Sequence, residues 1–193
     1  MNGVASEAAV RRGTLILVVG PSGAGKDSLI AWCKARFAGN GAVVFPRRAV
    51  TRSVTDGSED HDTLSDAAFA DGVRNGAFAL HWRAHGLGYG IPASVATDLA
   101  GGRSVVVNVS RAILDEARRR FPPVTVVSVA VPHDVLVQRL RNRSREAEED
   151  IAGRLARSGE YRVAGPDVVA IDNSGTIPGA GATLAAVIAA RSR

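Results

Sequence analysis

A glycine-rich segment near the start of the chain has the residues best suited to chemistry: Gly20, Pro21, Ser22, Gly23, Ala24, Gly25 and Lys26. Their types and spacing match a phosphate-binding P-loop. An apolar run at 15–19 precedes the loop and a pattern with helical spacing follows it, so strand, loop and helix are predicted in that order. In this context backbone N–H groups and the helix N-terminus face a phosphate, and Lys26 reaches the outer phosphates of a nucleotide.

The position after Lys26 departs from the usual motif, which has a serine or threonine there as a Mg²⁺ ligand. Asp27 occupies this position and Ser28 follows it. A carboxylate is an equally hard oxygen ligand, so Asp27 is a candidate to hold Mg²⁺ directly or through water. The alternative is an acidic residue that only favours the helix dipole. Both readings stay open at this point.

The composition limits the classes of protein to which the chain can belong. Its 193 residues suit one domain, and 46% hydrophobic residues suffice for a core. No apolar run approaches the roughly 18–20 residues of a membrane helix, so no membrane partner is predicted. The net charge of +5 comes from arginines spread over several segments, which favours small phosphorylated substrates over nucleic acid. The single Cys33 has no intrachain partner, which indicates a reducing cytoplasm, and a homodimer is left open.

Five short apolar strands alternate with helices, near 15–19, 42–45, 103–109, 124–131 and 167–171. This alternation predicts an α/β fold, namely a P-loop NTPase with a five-stranded parallel sheet flanked by helices. The segment 46–92 is too long for an ordinary crossover and is predicted to be an inserted lobe, with 46–62 irregular and 85–92 rich in turns. The predicted organisation is one domain over 1–193, with a core at 14–45 and 93–193, the lobe at 46–92 and an arginine-rich lid at about 141–157.

Two arginine-rich segments supply the positive charge that phosphoryl transfer between two anionic substrates needs. The lobe begins with Arg47, Arg48 and Arg52. The later segment contains Arg139, Arg141, Arg143, Arg145, Arg154 and Arg157. A solvated helix face is the alternative for several arginines, namely Arg118, Arg119, Arg120, Arg141 and Arg157.

These segments resemble the guanylate-kinase branch of the P-loop nucleoside monophosphate kinases over nearly the whole chain. GPSGAGK at 20–26 matches the loop of that branch, TR at 51–52 its acceptor segment and HGLGYG at 85–90 one of its turns. The segment at 139–155, RLRNRSREAEEDIAGRL, resembles its lid. The resemblance implies that the lid arginines Arg143 and Arg154 clamp the transferring phosphate as catalytic residues, together with Lys26. It also implies that Asn173 lies near the adenine of ATP.

The acceptor side departs from the GMP-binding pattern of these kinases. Leu80 stands where the glutamate that reads guanine is expected, and Ile91 where a serine or threonine follows the turn. Arg48 stands at a serine position, and 108–111, NVSR, replaces an acidic segment. Thr55 and Asp60 replace a second arginine and a tyrosine that contact the acceptor. Recognition of guanine by hydrogen bonds is therefore expected to be lost.

The same departures resemble a second group, the ribose 1,5-bisphosphate phosphokinases, whose pattern is matched at 20–29, 51–52, 57–61, 82–90 and 107–111. This resemblance implies transfer of the γ-phosphoryl group of ATP, with Mg²⁺, to the 1-phosphate of ribose 1,5-bisphosphate. The products would be 5-phosphoribosyl 1-diphosphate and ADP, in a pathway of phosphonate breakdown. An acceptor with two phosphates and no base accounts for the lost base readers and the gained arginine.

The resemblance also implies roles for individual residues. The loop and Lys26 would hold the ATP phosphates, and Asp27 or Ser28 would place Mg²⁺. The residues expected to bind the phosphorylated sugar are Arg48, Arg52, Glu59, Asp60, His61, His85, Tyr89 and Arg111. The alternatives are a polar surface loop at 59–61, a structural role for His85 and a packing role for Tyr89.

Three other functions remain open at this stage. A GMP kinase with altered acceptor contacts is the first, and Leu80, Asp60 and Thr55 argue against it. A non-catalytic, guanylate-kinase-like binding module is the second, although such modules have degraded loops and this chain retains Lys26. A gluconate- or shikimate-type kinase is the third, which the long lobe at 46–92 fits poorly.

Overall fold

The computed structural model describes residues 12–52, 60–143 and 163–192. In chain order its elements are β1 Leu15–Val19, α1 Lys26–Arg36, β2 Val43–Val44, β3 Arg48–Val50, β4 His61–Thr63, α2 Asp66–Arg74, β5 Phe78–Ala84, β6 Leu87–Pro92, α3 Ser94–Ala100, β7 Ser104–Asn108, α4 Leu114–Arg120, β8 Val124–Ala130, α5 His133–Arg143, β9 Val168–Asp172 and α6 Ile177–Arg191. Within these ranges β2, β7, β1, β8 and β9, in that order, form a five-stranded, all-parallel sheet. The predicted fold class is confirmed.

The central strand β1 pairs with β7 on one side and β8 on the other, and all five of its residues are buried. Because side chains alternate along a strand, Leu15, Leu17 and Val19 enter one core while Ile16 and Val18 enter another. Helices α1 and α6 cover the second core. Helices α3 and α4 and part of the second sheet cover the first. A strand buried on both faces has the continuous apolar run typical of parallel sheets.

The chain between β2 and α3 forms a second sheet of four described strands, in the order β4-β3-β6-β5. The residue types typical of turns at 85–92 lie mostly in a strand, because only His85 and Gly86 form the turn between β5 and β6. Gly88 and Gly90 lie within β6 because aromatic rings cover its backbone. A Cβ atom at these glycines would lie 2.8 Å from the ring of Phe69 and 2.5 Å from that of Phe78.

The helix ends follow local hydrogen bonds. Ser65, a residue type favoured at helix N-caps, caps α2, since its hydroxyl accepts a hydrogen bond from the Ala68 N–H at 3.1 Å. The last helix begins at Ile177, because Thr176 caps it and Pro178 is tolerated in a first turn. Among the helices in the described ranges, none combines the length and the apolar composition needed to cross a bilayer.

Arg118 on α4 is held in an ion pair. A solvated helix face was the alternative given for this residue. Its Nε and Nη2 atoms donate to both carboxylate oxygens of Asp167, at 2.9 and 3.0 Å. These hydrogen bonds raise the pKa of Arg118 above its usual value. The pair ties the chain just before β9 to α4.

Candidate active site

The carboxyl ends of β1, β7 and β8 meet at one edge of the parallel sheet. The chain leaves β1 toward β2 and β7 on one side, whereas β8 and β9 lie on the other, so the order of strands changes direction at β1. Ligands of open α/β sheets bind at such a switch point, beyond the carboxyl ends of the strands. The loop 20–25 lies at this place and leads directly into α1.

Two glycines of the loop are required by close approach of the backbone to other groups. A Cβ atom at Gly20 would lie 2.7 Å from the Val129 carbonyl oxygen. Gly25 has φ of 84°, in the left-handed region, and a Cβ atom there would lie 2.6 Å from Asn173 Nδ2. The loop therefore wraps tightly at the start of α1, which is the arrangement that presents backbone N–H groups to a phosphate.

Lys26 and Asn173 stabilise the shape of the loop. Lys26 Nζ donates to the carbonyl oxygens of Gly20 at 2.8 Å and Pro21 at 2.9 Å, so the ammonium lies across the loop. Asn173 is fully buried and donates from Nδ2 to the Ala24 carbonyl oxygen at 2.7 Å. This contact places Asn173 beneath the loop. Its predicted position near an adenine stays a prediction.

Asp27 lies in a polar group at the start of α1. Asn108, at the end of β7, donates from Nδ2 to Asp27 Oδ1 at 2.7 Å. Arg48 Nη2 lies 3.6 Å from the same oxygen, and Arg48 Nη1 donates to the Asn108 carbonyl oxygen at 3.4 Å. Only 12% of the Arg48 side chain is exposed. The group joins the phosphate loop, the parallel sheet and the second sheet.

One face of the second sheet carries the side chains of Arg48, His61 and Tyr89. Arg48 is the register partner of His61 on β4, and its guanidinium lies 6.0 Å from the centre of the Tyr89 ring. Tyr89 in turn stacks on Trp82, with ring centres 5.2 Å apart. His61 is 4% exposed, and its two ring nitrogens have no hydrogen-bond partner among the described residues. Burying an imidazole without hydrogen-bond partners costs free energy. We therefore expect its two nitrogens to bind a ligand or water.

The two positions that would read guanine in a GMP kinase hold apolar side chains. Leu80 and Ile91 are register partners on β5 and β6 and are 1% and 0% exposed. Both belong to the core cluster that includes Trp82. Neither side chain has a hydrogen-bonding atom, so this face offers a base no polar contact from these two positions.

Ion pairs connect α1 with the second sheet beside the Asp27 group. Lys34 Nζ lies 2.7 Å from Asp60 Oδ2, and Arg47 Nε lies 3.1 Å from Asp60 Oδ1. The hydrogen bond from Lys34 lowers the pKa of Asp60 below its usual value. A cavity of about 230 Å³ lies beside the Lys34–Asp60 pair, and Asp27, Lys34, Arg48, Asp60 and Asn108 contribute to its wall.

The other predicted site residues are more dispersed. Arg52 is exposed just after β3, and Arg111 is exposed in a 3-10 turn, Arg111–Ile113, beyond the carboxyl end of β7. His85 has φ of 52° and lies exposed at the tip of the β5–β6 hairpin, which gives it a role in the turn. Glu59, Arg154 and the side chain of Arg143 lie outside the described residues, so their predicted roles stay predictions.

Two residues near the loop were absent from the predicted site. Arg139 on α5 has its Nη1 atom 3.9 Å from where a Cβ atom of Gly25 would lie, and its Nη2 donates to the Gly175 carbonyl oxygen at 3.5 Å. Asn108 holds Asp27, as described above. The motif NVSR at 108–111 could have indicated Asn108, because polar residues that follow a buried parallel strand lie at the ligand edge. Arg139 had only its place in an arginine-rich segment as a signal.

Several relatives of the chain carry the same name. Ribose 1,5-bisphosphate phosphokinase PhnN of Brucella melitensis is 45% identical over 166 residues, which are 86% of each chain. The protein of that name from Rhizobium etli is 44% identical over 94% of this chain and 92% of its own. The one from Acidiphilium cryptum is 52% identical over 77% and 78%. The chain belongs to this family. It is therefore a kinase, and the predicted resemblance is confirmed.

Solved structures with low sequence identity share the fold of this family member. Guanylate kinase from Anaplasma phagocytophilum has a TM-score of 0.65 at 17% identity and covers 94% of this chain and 87% of its own. A sugar kinase from Janibacter sp. HTCC2649 has a TM-score of 0.52 at 16% identity, over 89% and 92%. No family model matches the chain.

Proposed function

We propose that this kinase transfers the γ-phosphoryl group of ATP to the 1-phosphate of ribose 1,5-bisphosphate, which yields 5-phosphoribosyl 1-diphosphate and ADP. The observation that carries the proposal is the nearly buried guanidinium of Arg48 beside the phosphate loop, on a sheet face where Leu80 and Ile91 are buried. Such a face suits an acceptor with anionic groups and without a base. The names of the relatives point to the same acceptor.

The nucleotide side suits ATP. The close packing at Gly20 and Gly25 shapes the loop so that its backbone can bind phosphates. Lys26 lies across the loop. Within the described ranges no three acidic, histidine or cysteine side chains are grouped to hold a metal ion. This suits Mg²⁺, which takes one or two protein ligands and completes its shell with water and substrate phosphates. Ser28 and the second carboxylate oxygen of Asp27 would hold it, and the ion would neutralise charge on the transferring phosphate.

The acceptor side would bind the phosphorylated sugar through cations. Arg48 would contact one phosphate, with Arg52 and Arg111 supplying further positive charge near the sheet edge. The buried nitrogens of His61 would donate to or accept from the sugar or its phosphate. Glu59 and Asp60 remain candidates for the ribose hydroxyls. Tyr89 would act by packing, since its ring stacks on Trp82.

The reaction needs no general base, because an oxygen of the 1-phosphate is already anionic and nucleophilic. That oxygen forms the new bond to the γ-phosphorus, and the bond from this phosphorus to the bridging oxygen of ADP breaks. The contribution of the protein is position and positive charge. Arg143 and Arg154 are proposed to close over the transferring group. We also propose a cytoplasmic location, which suits a single cysteine that is buried and whose pKa burial raises to about 11.

The test is phosphorus NMR of the purified protein with Mg-ATP and either ribose 1,5-bisphosphate or GMP as the acceptor. We expect new diphosphate signals with the sugar bisphosphate alone. Arg48→Met is expected to raise the acceptor KM roughly 10- to 100-fold, the range for loss of a charged hydrogen bond, with little change in the KM for Mg-ATP. Turnover of GMP alone would establish the GMP kinase instead. ATP binding with neither acceptor reacting would reject the proposed acceptor, and no ATP binding would favour the binding module.

A further inference from the structure

Three departures from the GMP-kinase pattern meet in one place. Asp27 replaces the serine or threonine after the loop lysine, Arg48 replaces a serine in the acceptor segment, and Asn108 stands in a segment that is acidic in those kinases. They lie on α1, β3 and β7, yet Asp27 Oδ1 lies 2.7 Å from Asn108 Nδ2 and 3.6 Å from Arg48 Nη2. The three residues are far apart in the chain, and the fold brings them into one group.

The contacts of this group stabilise the charged side chain of Arg48, which is largely removed from water. The Arg48 side chain is 12% exposed, and a guanidinium so far removed from water needs an opposite charge and acceptors for its N–H groups. Asp27 supplies the charge, and the Asn108 carbonyl oxygen accepts from Nη1 at 3.4 Å. The Asn108 side chain donates to the same carboxylate oxygen, Oδ1. Asp27 and Asn108 therefore contribute to holding the guanidinium in its position.

We propose that Asp27 is a positioning residue of the acceptor site, which acts by holding Arg48 through Oδ1. The proposal rests on the proposed function, because it assigns to Asp27 a part in selecting an acceptor with two phosphates. Among the described residues Oδ2 of Asp27 has no hydrogen-bond partner, so a Mg²⁺ ion held by Oδ2 would leave Oδ1 to Arg48. An asparagine at 27 has the same shape without the charge, which makes it the informative substitution.

The test is a double-mutant cycle with Asp27→Asn and Arg48→Met, followed through the KM for ribose 1,5-bisphosphate, the KM for Mg-ATP and the Mg²⁺ dependence. We expect Asp27→Asn to raise the acceptor KM roughly 10-fold in the wild-type background and less than twofold in the Arg48→Met background, because the carboxylate acts through Arg48. Because the same substitution removes the oxygen proposed to hold Mg²⁺, the KM for Mg-ATP is expected to rise, by the same factor in both backgrounds. Equal effects of Asp27→Asn on the acceptor KM in both backgrounds, or an effect confined to the Mg²⁺ dependence, would overturn the proposal.

The second sheet offers a matched control. Asp66 lies in the first turn of α2, as Asp27 does in α1, and pairs with Arg83 at 3.3 Å away from the phosphate loop. Asp66→Asn removes the same charge from the same kind of position. It is expected to leave the acceptor KM within twofold of the wild type. A rise as large as that of Asp27→Asn would show a general effect of lost helix-terminal charge and would also overturn the proposal.

A measurement without substrate separates this proposal from the proposed function. Arginine side chains labelled with ¹⁵N give guanidinium signals, and the signal of Arg48 is the one that Arg48→Met removes. In the ligand-free protein we expect resolved, slowly exchanging Nη signals for Arg48, which merge in Asp27→Asn and persist in Asp66→Asn. If the signals persist in Asp27→Asn, the positioning role is wrong whatever the acceptor is. If they merge while the wild type does not convert ribose 1,5-bisphosphate, the positioning role holds and the proposed acceptor is wrong.

Discussion

The two sides of the site are built in different ways. The nucleotide side consists mainly of backbone, bent into shape at Gly20 and Gly25, and the Asn173 amide supports it from below. The acceptor side consists of side chains on one face of the second sheet, with Arg48 and His61 as register partners. Every residue except proline carries the same backbone N–H group, whereas side chains change with one substitution. A loop of the common P-loop pattern can therefore serve an acceptor face that departs from the GMP-kinase pattern.

The largest effect on activity is expected from a substitution that distorts the phosphate loop. Gly25→Ala places a Cβ atom 2.6 Å from Asn173 Nδ2 at a φ of 84°, so the loop must shift. We expect activity to fall on the order of 100-fold, as for loss of one preorganised donor to a reacting group, and ATP affinity to fall with it. Both are measured by steady-state kinetics and calorimetric titration with ATP.

Gly39→Ala is the control for backbone strain alone. Gly39 has φ of 81°, and nothing lies within 4 Å of its Cβ position. This variant is expected to lose about 1 kcal/mol of stability and to keep full activity. If Gly25→Ala retained normal ATP binding, the nucleotide side would depend on side chains after all, and the contrast with the acceptor side would fail.

His61→Phe is expected to separate stability from function on the acceptor side. The two ring nitrogens of His61 have no partner among the described residues, so an apolar ring of similar shape should raise the melting temperature or leave it unchanged. The acceptor KM is expected to rise roughly 10-fold, as for loss of one substrate hydrogen bond. Thermal unfolding and acceptor kinetics measure the two effects. An unchanged acceptor KM would remove His61 from the site and make it a packing residue.

Asn173→Ala is expected to have a moderate effect confined to the nucleotide side. It removes the hydrogen bond to the Ala24 carbonyl oxygen and costs about 1 kcal/mol of stability. The KM for Mg-ATP should rise a few-fold while the acceptor KM stays constant. The double variant Gly25→Ala/Asn173→Ala should recover part of the activity lost in Gly25→Ala, because the clash with Nδ2 is gone. Failure to recover any activity would show that φ strain alone closes the loop.

The smallest effect is expected at the exposed link between α1 and the second sheet. Lys34→Met removes the ion pair with Asp60, whose two side chains are half exposed, and the loss of unfolding free energy is expected to be about 0.2–1 kcal/mol. Because Lys34 lowers the pKa of Asp60, this stabilisation is complete above the usual value of 3.8 and is lost as the pH falls through the lower folded-state value. The difference between the two proteins in urea unfolding should therefore begin to shrink below about pH 4 and disappear below the folded-state pKa of Asp60. A constant difference down to pH 2 would contradict the assignment of Asp60 as the partner.

Much of the fold could be predicted because its signals are local. The apolar run at 15–19 and the alternation of strands and helices indicated the parallel sheet, and Ser65 marked the start of α2. The strand Leu87–Pro92 was missed, since its glycines are typical of turns in isolation. Only the rings of Phe69 and Phe78, which lie over that backbone, make glycine suitable there.

The phosphate loop and Lys26 could be recognised in the sequence because all of their parts are consecutive residues. The tertiary structure was needed for contacts between distant segments. Asn173 is 149 residues from the Ala24 carbonyl that it supports, and Asn108 is 81 residues from Asp27. Strand order and register bring Arg48 to the same carboxylate. A motif records residue types along the chain, whereas the chemistry of the acceptor side depends on which strands are neighbours and which face each side chain occupies.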